Sequence, residues 1–311
     1  MFKRFTNKQL LIFLGGLGLV YLVSLTFGGR AERTFEKTIS ALDTTLVNTI
    51  LVQQAGQAPV TLNRQGGDWM VSLPNGQAGR TSPGIVKAAL GNFALLEASQ
   101  VMSTSEDDWT AYKVDTAGTR LQLKSGQEVL LDIMLGESVF KQTGGMTYVR
   151  LNDDETTYLA EGYLSTTFNK TVNEWRDNTF LKGSTNDWAM VNFAYAADSS
   201  FRLVKDTTNA WIIADGSPAD PAEITNFLAG ISNLTGTEFV DRSPATPTPD
   251  MQLAIQTATQ GLIEIKAYPD AQHGYLLASS LNPGTYFSGQ AGDLVGQIFV
   301  GKNRFAPKPE E

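Results

Sequence analysis

Apolar residues recur at helical spacing in two stretches of the chain that resemble each other. The first, "SPGIVKAALGNFALL", covers residues 82–96, and the second, "DPAEITNFLAGISNL", covers residues 220–234. Each begins with a residue type that caps helices, Ser82 or Asp220, and a proline follows at the first helical position, where its missing N–H costs nothing. The pattern predicts two amphipathic helices, each with one face to bury.

Alternating apolar and polar residues flank both predicted helices in the same order. Upstream, residues 60–74 and 201–215 predict hairpins in which Trp69 and Trp211 hold matching positions. A single predicted strand precedes each hairpin, at 45–54 and 188–197, and two strands follow each helix, at 119–135 and 251–267. The stretches 147–168 and 274–299 predict two further strands and a closing short helix in each unit. Because the order extends over a whole domain, the sequence predicts a tandem duplication of a unit made of an antiparallel sheet and a helix. The expected fold class is α+β.

An uncharged apolar stretch near the N-terminus, Leu10 to Phe27, is long enough to cross a bilayer. Lys3 and the two basic residues near it precede this stretch, which predicts a cytoplasmic N-terminus and a retained anchor. The alternative is a cleaved secretory signal. Within the stretch, Gly15 and Gly18 form a thin patch that predicts a contact with another transmembrane helix.

The resulting organisation has six segments. They are a cytoplasmic N-terminus and transmembrane anchor (1–29), a membrane-proximal helix (30–44), a first α+β repeat (45–170), a connector (171–184), a second α+β repeat (185–300) and a flexible tail (301–311).

Composition excludes several kinds of chemistry. The chain has no cysteine, which excludes disulfides, thiolate metal sites and a cysteine nucleophile. Its net charge of −8 makes nucleic acid an improbable partner, since phosphate backbones are repelled. A single histidine, His273, stands beside a glycine and is interpreted as a turn residue rather than a metal ligand or base.

Acidic clusters occur at 105–109 and 152–156, but neither has the spacing of a calcium loop. We interpret the second as a hairpin turn, because it is rich in turn-forming residues. A hydrolase using paired carboxylates is the weakest hypothesis, because no acid and base can be singled out. No catalytic residue, metal site or cofactor is therefore predicted, and the protein is expected not to be an enzyme.

The connector contains the most distinctive group of residues, "NEWRDNTFL" at 173–181. Two interpretations are open for its Trp175, Arg176, Asp177 and Phe180. In the first, the aromatic side chains fill the junction between the two units while Arg176 pairs with an acid. In the second, they form a partner-binding edge, since tryptophan and arginine are enriched where interfaces carry their energy.

The tryptophan hairpin, the proline-started helix, and "YVRLNDDETTYLAEGYLSTTF" leading to "WRDNTFL" together are similar to the bacterial envelope proteins grouped as domain-of-unknown-function family 4340. The resemblance covers most of the chain and implies no catalytic residues. It implies a single-pass protein of the bacterial inner membrane with most of the chain in the periplasm, of a kind often encoded beside an ABC-type exporter of the gliding-motility type.

Two functions follow as hypotheses. The first is a non-enzymatic scaffold or substrate-handling arm of an ABC-type transporter assembly, with integral membrane proteins, the permease and the ATPase, as partners. The second is an envelope-binding module that grips a polysaccharide, peptide or lipid between the two repeats.

Overall fold

The structure is a computed structural model that describes residues 38–142, 144–196, 199–259 and 261–307. The predicted transmembrane stretch from Leu10 to Phe27 and its contact glycines, Gly15 and Gly18, lie outside the described residues. No helix in the described part of the chain is both long and apolar enough to cross a membrane. The prediction of a single-pass inner-membrane protein is corrected on this finding.

The strands in the described residues are β1 Thr38–Ser40, β2 Thr49–Gln54, β3 Val60–Gln65, β4 Asp68–Ser72, β5 Ala78–Arg80, β6 Leu96–Ser103, β7 Thr119–Ser125, β8 Glu128–Lys141, β9 Gly144–Leu151, β10 Thr157–Glu161, β11 Thr179–Lys182, β12 Trp188–Tyr195, β13 Phe201–Lys205, β14 Trp211–Ile213, β15 Asn233–Thr235, β16 Met251–Thr257, β17 Leu262–Asp270, β18 Gly274–Ser279 and β19 Tyr286–Ser288. The α-helices are α1 Ile85–Gly91, α2 Trp109–Tyr112, α3 Leu164–Phe168, α4 Val172–Trp175, α5 Pro221–Ile231 and α6 Leu294–Ile298. Short 3₁₀ turns cover Glu106–Asp108, Ala291–Asp293 and Lys302–Phe305.

The strands form two large antiparallel sheets and one small sheet. The first large sheet has ten strands in the order β1-β6-β10-β9-β8-β7-β2-β3-β4-β5, and the second has seven in the order β14-β13-β12-β16-β17-β18-β19. In the first sheet the four-strand meander β2–β5 adjoins the later run β7–β10, and in the second the three-strand meander β12–β14 adjoins the later run β16–β19. A helix follows each meander in the chain. Strands β11 and β15 pair separately.

The predicted α+β class is wrong, because the described residues are mostly β, at 44% strand and 18% helix. The two predicted helices are short: α1 has seven residues and α5 has eleven. The sequence pattern also missed the eight-residue strand β6, whose burial does not alternate. In the predicted membrane-proximal segment, the described part contains strand β1, which pairs with β6.

Each large sheet buries one face under its helix. In the first core, α1 contributes Val86, Ala89 and Leu90. In the second core, α5 contributes four apolar residues, Ile224, Phe227, Leu228 and Ile231. Helical periodicity predicted these seven residues, with Ile85 and Phe93, to share the buried faces of the two helices. Ile85 is only partly buried, and Phe93 lies in the first core just beyond the end of α1.

The two helices begin differently. The Asp220 carboxylate accepts a hydrogen bond from the Ala222 N–H at 2.8 Å, which confirms the predicted cap of α5. Helix α1 instead begins after Gly84, which has a φ of 79° and supplies no side chain. The predicted cap Ser82 donates its hydroxyl to the Arg176 carbonyl at 2.9 Å, so a contact distant in sequence takes the place of the local one.

Candidate functional site

The connector lies between the two cores and contributes a large aromatic side chain to each. Helix α4 begins at Thr171 in a capping box, in which Glu174 accepts the Thr171 N–H at 2.7 Å. This helix places Trp175 in the first core, 6.0 Å from the ring of Phe168. Five residues later, Phe180 enters the second core.

Arg176 joins the connector to the second unit. Its side chain is 5% exposed, and Nη1 lies 2.8 Å from the Asp241 carboxylate. The guanidinium carbon also lies 3.8 Å from the centre of the Phe239 ring, in cation–π geometry. A Cβ at Gly79 would lie 3.1 Å from Nε of Arg176, so a glycine on β5 leaves room for this side chain.

Backbone hydrogen bonds attach the same connector to both units. On the first unit, the Asp177 N–H donates to the Arg80 carbonyl at 2.8 Å, and the Ser82 N–H donates to the Trp175 carbonyl at 3.0 Å. On the second unit, the Asn282 amide donates to the Asp177 carbonyl at 2.6 Å. The Asp177 side chain accepts the Thr179 N–H.

All four predicted residues of the connector, Trp175, Arg176, Asp177 and Phe180, are buried. They do not form one surface, since Trp175 lies in the first core and Phe180 in the second. Their contacts described above are internal to the chain. This geometry favours the interpretation of a junction that fixes the two units together over that of a partner-binding edge.

A second group of residues forms a cavity of about 560 Å³ on the outer face of the first sheet. We call it the Arg150 cavity; its lining includes Gln53, Ala55, Trp109, Arg120, Met134 and Arg150. The register aligns four of these residues in one row across β2, β7, β8 and β9, as Gln53, Arg120, Met134 and Arg150. The segment that contains α2 forms the opposite wall.

The wall of the Arg150 cavity is held by polar contacts between segments distant in sequence. The Trp109 indole N–H donates to the Glu155 carbonyl at 3.0 Å. Nε of Arg150 donates to the Val114 carbonyl at 3.1 Å. The guanidinium carbon of Arg150 lies 3.8 Å from the centre of the Trp109 ring. The fold thus places the two acidic clusters at 105–109 and 152–156 side by side, although they are more than 40 residues apart in the sequence.

A third feature is an exposed pair of aromatic side chains, Phe140 and Tyr163, which we call the aromatic patch. Phe140 is 78% exposed near the end of the β8–β9 hairpin, and Tyr163 is 46% exposed. Phe140 is the register partner of Gly145, and a Cβ at Gly145 would collide with the Tyr163 ring. Since paired residues project on the same side of a sheet, the two aromatic side chains share one face.

A family model described as Domain of unknown function (DUF4340) matches residues 80–254. The chain belongs to this family. The matched region begins at the end of β5, contains the whole connector and ends within β16, so it includes the junction and parts of both large sheets. No curated protein matches the chain. No solved structure matches it either.

Other predicted positions in this DUF4340 protein are turns. Residues 152–156 connect β9 to β10, and the Asp154 carboxylate accepts the Thr156 N–H at 3.0 Å, which confirms the predicted turn. His273 lies in the turn between β17 and β18, also as predicted, with Nδ1 3.2 Å from the Ser288 hydroxyl. In the described residues, no group of three or more histidine, cysteine or acidic side chains could hold a metal ion.

Sequence reasoning missed the Arg150 cavity. Trp109 and Arg150 are 41 residues apart, and neither belongs to a local motif that predicts a site. One signal was available: Arg150 is a charged residue inside a strand whose neighbours Val149 and Leu151 are apolar. A charge in such a position requires partners that the strand itself does not supply.

Proposed function

We propose that this DUF4340 protein is a non-enzymatic scaffold or substrate-handling arm of an ABC-type transporter assembly. Its partners in this proposal are the permease and the ATPase that the family resemblance implies. The protein supplies a rigid surface rather than a reaction, and it binds the permease through the aromatic patch.

The exposure of Phe140 is the observation that carries the proposal. A phenylalanine with 78% of its surface in water gains little from folding, whereas burial against a partner would contribute about 2 kcal/mol. Aromatic side chains are enriched where protein interfaces carry their energy. Tyr163, on the same face, adds a hydroxyl group that can remain at the rim of such an interface.

The buried junction also supports the proposal, because it fixes the position of the two units relative to each other. An arm must transmit a fixed geometry, and here Arg176, Asp177 and Asn282 join the two units through an ion pair and direct hydrogen bonds. A partner bound at the aromatic patch on the first unit therefore sets the position of the second unit as well.

The alternative proposal, an envelope-binding module that grips a polysaccharide, peptide or lipid between the two units, has less room. The cleft between them has a volume of about 130 Å³, and Arg176 and Asp241 occupy its lining. Ligand pockets usually measure about 300–1,000 Å³. Binding of a chain-like ligand there would require the junction to open.

Affinity purification of the tagged protein from its own cells, followed by quantitative mass spectrometry, tests the scaffold proposal. We expect stoichiometric recovery of one permease and one ATPase, and at least about tenfold less with Phe140→Ser, since a buried aromatic contact is worth more than 1.4 kcal/mol. The matched control is Leu262→Ser, which removes a half-exposed apolar side chain from the second sheet.

Equal recovery of the permease with Phe140→Ser and with the unmodified protein would overturn the assignment of the aromatic patch. Recovery of the protein without a permease or an ATPase would overturn the transporter assignment itself. If both variants unfold at the same temperature as the unmodified protein, neither substitution alters recovery of the permease by destabilising the fold.

A further inference from the structure

The fold itself holds the polar groups of the Arg150 cavity in place through hydrogen bonds within the chain. Its floor is the row of side chains from β2, β7, β8 and β9, and its wall is the segment that contains α2. That segment lies directly on the sheet, because a Cβ at Gly136 of β8 would collide with the carbonyl oxygen of Tyr112. The position of Trp109 is therefore fixed by backbone packing as well as by its hydrogen bond.

Arg150 uses only part of its hydrogen-bonding capacity within the described residues. Nε donates to the Val114 carbonyl, and Nη1 lies within hydrogen-bond distance of the carbonyls of Leu151, Asn152 and Asp154, at 3.0 to 3.3 Å. Nη2 has no acceptor among the described residues, yet it is not among the buried atoms that lack a partner. Nη2 is therefore the donor that Arg150 has left for a ligand in the cavity that this residue lines.

A comparison with Arg176 shows what Arg150 lacks. Both side chains are 5% exposed, and both lie against an aromatic ring at 3.8 Å. Arg176 has the Asp241 carboxylate at 2.8 Å, whereas Arg150 has no carboxylate at ion-pair distance among the described residues. Burial lowers the pKa of Arg150, although Glu106 and Asp154 act in the opposite direction. A buried guanidinium without a counter-ion is costly, and a ligand carboxylate would offset that cost.

The other arginine in the cavity does not meet the same need. Arg120 binds Asp132 through two contacts, Nε to Oδ1 at 2.9 Å and Nη2 to Oδ2 at 2.6 Å. Gln122 donates to the same carboxylate. This pair is internally neutral, so Arg150 is the group in the cavity that a ligand anion would contact.

We propose that the Arg150 cavity binds a small monocarboxylate with a flat apolar body, and that Nη2 of Arg150 holds the carboxylate. Trp109, Met134 and Ala55 provide the apolar surface for the body of the ligand. Glu106 and Asp115 also line the cavity, so a dianion such as a phosphate monoester is repelled more strongly than a single carboxylate. This inference is independent of the proposed scaffold function, which concerns a different surface.

Benzoate is the probe, with benzamide as its uncharged isostere and phenyl phosphate as the dianion. The chain has five tryptophans, so the indole N–H signals in a ¹H–¹⁵N spectrum are few, and a Trp109→Phe variant identifies the one at the cavity. We expect benzoate to shift the Trp109 signal saturably. Benzamide should bind at least about tenfold more weakly, because it gains no charge-assisted hydrogen bond.

Ala55→Phe fills the cavity from an exposed position without removing a hydrogen bond, and it should abolish the benzoate shift. Ala58→Phe, an exposed alanine three residues further along the chain and outside the cavity lining, is the matched control and should bind like the unmodified protein. No saturable shift with benzoate would overturn the proposal. Equal binding of benzamide, tighter binding of phenyl phosphate, or an unchanged shift in Ala55→Phe would each overturn it too.

Discussion

Two indole N–H groups in the described residues are buried without a hydrogen-bond acceptor, those of Trp175 and Trp188. Leaving such a donor unpaired costs about 1–3 kcal/mol, so packing must outweigh that cost at both positions. Trp175 packs against Phe168 in the first core, while the ring of Trp188 lies close to Gly183 in the second. Each tryptophan is therefore held by its shape rather than by its polar atom.

This distinction can be tested at Trp175. We expect Trp175→Ala to lower the free energy of unfolding by about 3–5 kcal/mol, because it leaves a large cavity. We expect Trp175→Phe to lower it by at most about 1.5 kcal/mol, since a large ring remains and the unpaired donor is removed. Urea unfolding measures both. If phenylalanine proved as destabilising as alanine, the indole N–H would have to be stabilising the fold.

Asp215 provides a test of electrostatics at the surface. Hydrogen bonds from Ser217, together with the Lys302 ammonium at 3.0 Å, lower the pKa of this carboxyl to about 2. Because the folded-state pKa lies below the ordinary value of 3.8, the interaction stabilises the protein above about pH 4 and is lost as the pH falls towards 2. The group is exposed, so the effect on stability is small.

The Asp215 prediction is checked by following the carboxyl carbon in an NMR titration. Lys302→Met should raise the pKa of Asp215 but leave it below 3.8, since the hydrogen bonds from Ser217 remain. Ser217→Ala should also raise it, because the Ser217 hydroxyl makes the largest contribution. A midpoint near 3.8 in the unmodified protein would contradict the arrangement of these three groups.

Sequence reasoning identified some of these residues and missed others for a physical reason. The connector residues stood out because large and charged side chains are concentrated within nine positions. Asp220 was recognised as a cap because capping is a local interaction. Ser82 was misread, since its hydroxyl binds a carbonyl 94 residues away. Arg150 and Trp109 also meet only in the folded chain.

Among the elements, α2 depends most on close contact between backbone segments, which is possible because the facing residues are glycines. It follows a 3₁₀ turn that Ser105 caps, and the backbone at its C-terminal end packs on Gly136 of β8 and on Gly118, which lies just before β7. Its four residues are too few to form a stable helix alone. Contacts with the sheet therefore determine whether this element exists.

We expect Gly136→Ala to displace α2 from the sheet and to destabilise the protein by about 1–3 kcal/mol, because a Cβ at this position overpacks a backbone contact. Hydrogen exchange provides the local readout, since the Val114 N–H, bonded to the Trp109 carbonyl at 3.0 Å, should lose protection. Unchanged protection of Val114 would mean that the sheet accommodates the methyl group by moving elsewhere.

Gly230→Ala is the matched control for that substitution. Gly230 lies in α5, and a Cβ there would meet nothing within 4 Å. We expect this variant to stabilise the protein by about 0.5–1 kcal/mol, because alanine favours the helix and restricts the unfolded chain. The two substitutions are thus predicted to change the stability of the protein in opposite directions, and calorimetry can measure both changes.

The pairs of neighbouring strands could be predicted from the sequence, whereas the relative amounts of strand and helix could not. Alternation located the hairpins β3–β4, β7–β8, β13–β14 and β16–β17, because one face of each is buried. The predicted fold class was wrong because the two amphipathic helices are short and most of the remaining chain forms short strands of two large sheets. Strand β6 gave no alternating signal, since both its edges pair within the sheet and its burial is irregular.

At the scale of the molecule, two separate hydrophobic cores are joined by one buried connector. The cores meet at Arg176, which is 5% exposed and paired with the partly exposed Asp241. A buried charge that loses its partner destabilises a protein by about 3–5 kcal/mol, although replacing both members of a pair can be nearly neutral. The junction should therefore control whether the two units unfold together.

We expect Arg176→Met to separate a single thermal unfolding transition into two, because it removes both the ion pair with Asp241 and the cation–π contact with Phe239. Asp241→Asn should destabilise the protein by about 1–3 kcal/mol, since it leaves the guanidinium without a full counter-charge. Combining the two substitutions should cost less than the sum of the single losses, as expected for residues in direct contact.

The control for the junction is Lys113→Met, which breaks an ion pair with Glu137 in which both side chains are about half exposed. Exposed pairs contribute about 0–1 kcal/mol, so this variant should keep a single transition near the unmodified temperature. One unaltered transition in Arg176→Met would show that the backbone contacts of Asp177 suffice to couple the units. Two transitions would instead make the Arg176 side chain the group through which folding of one sheet stabilises the other.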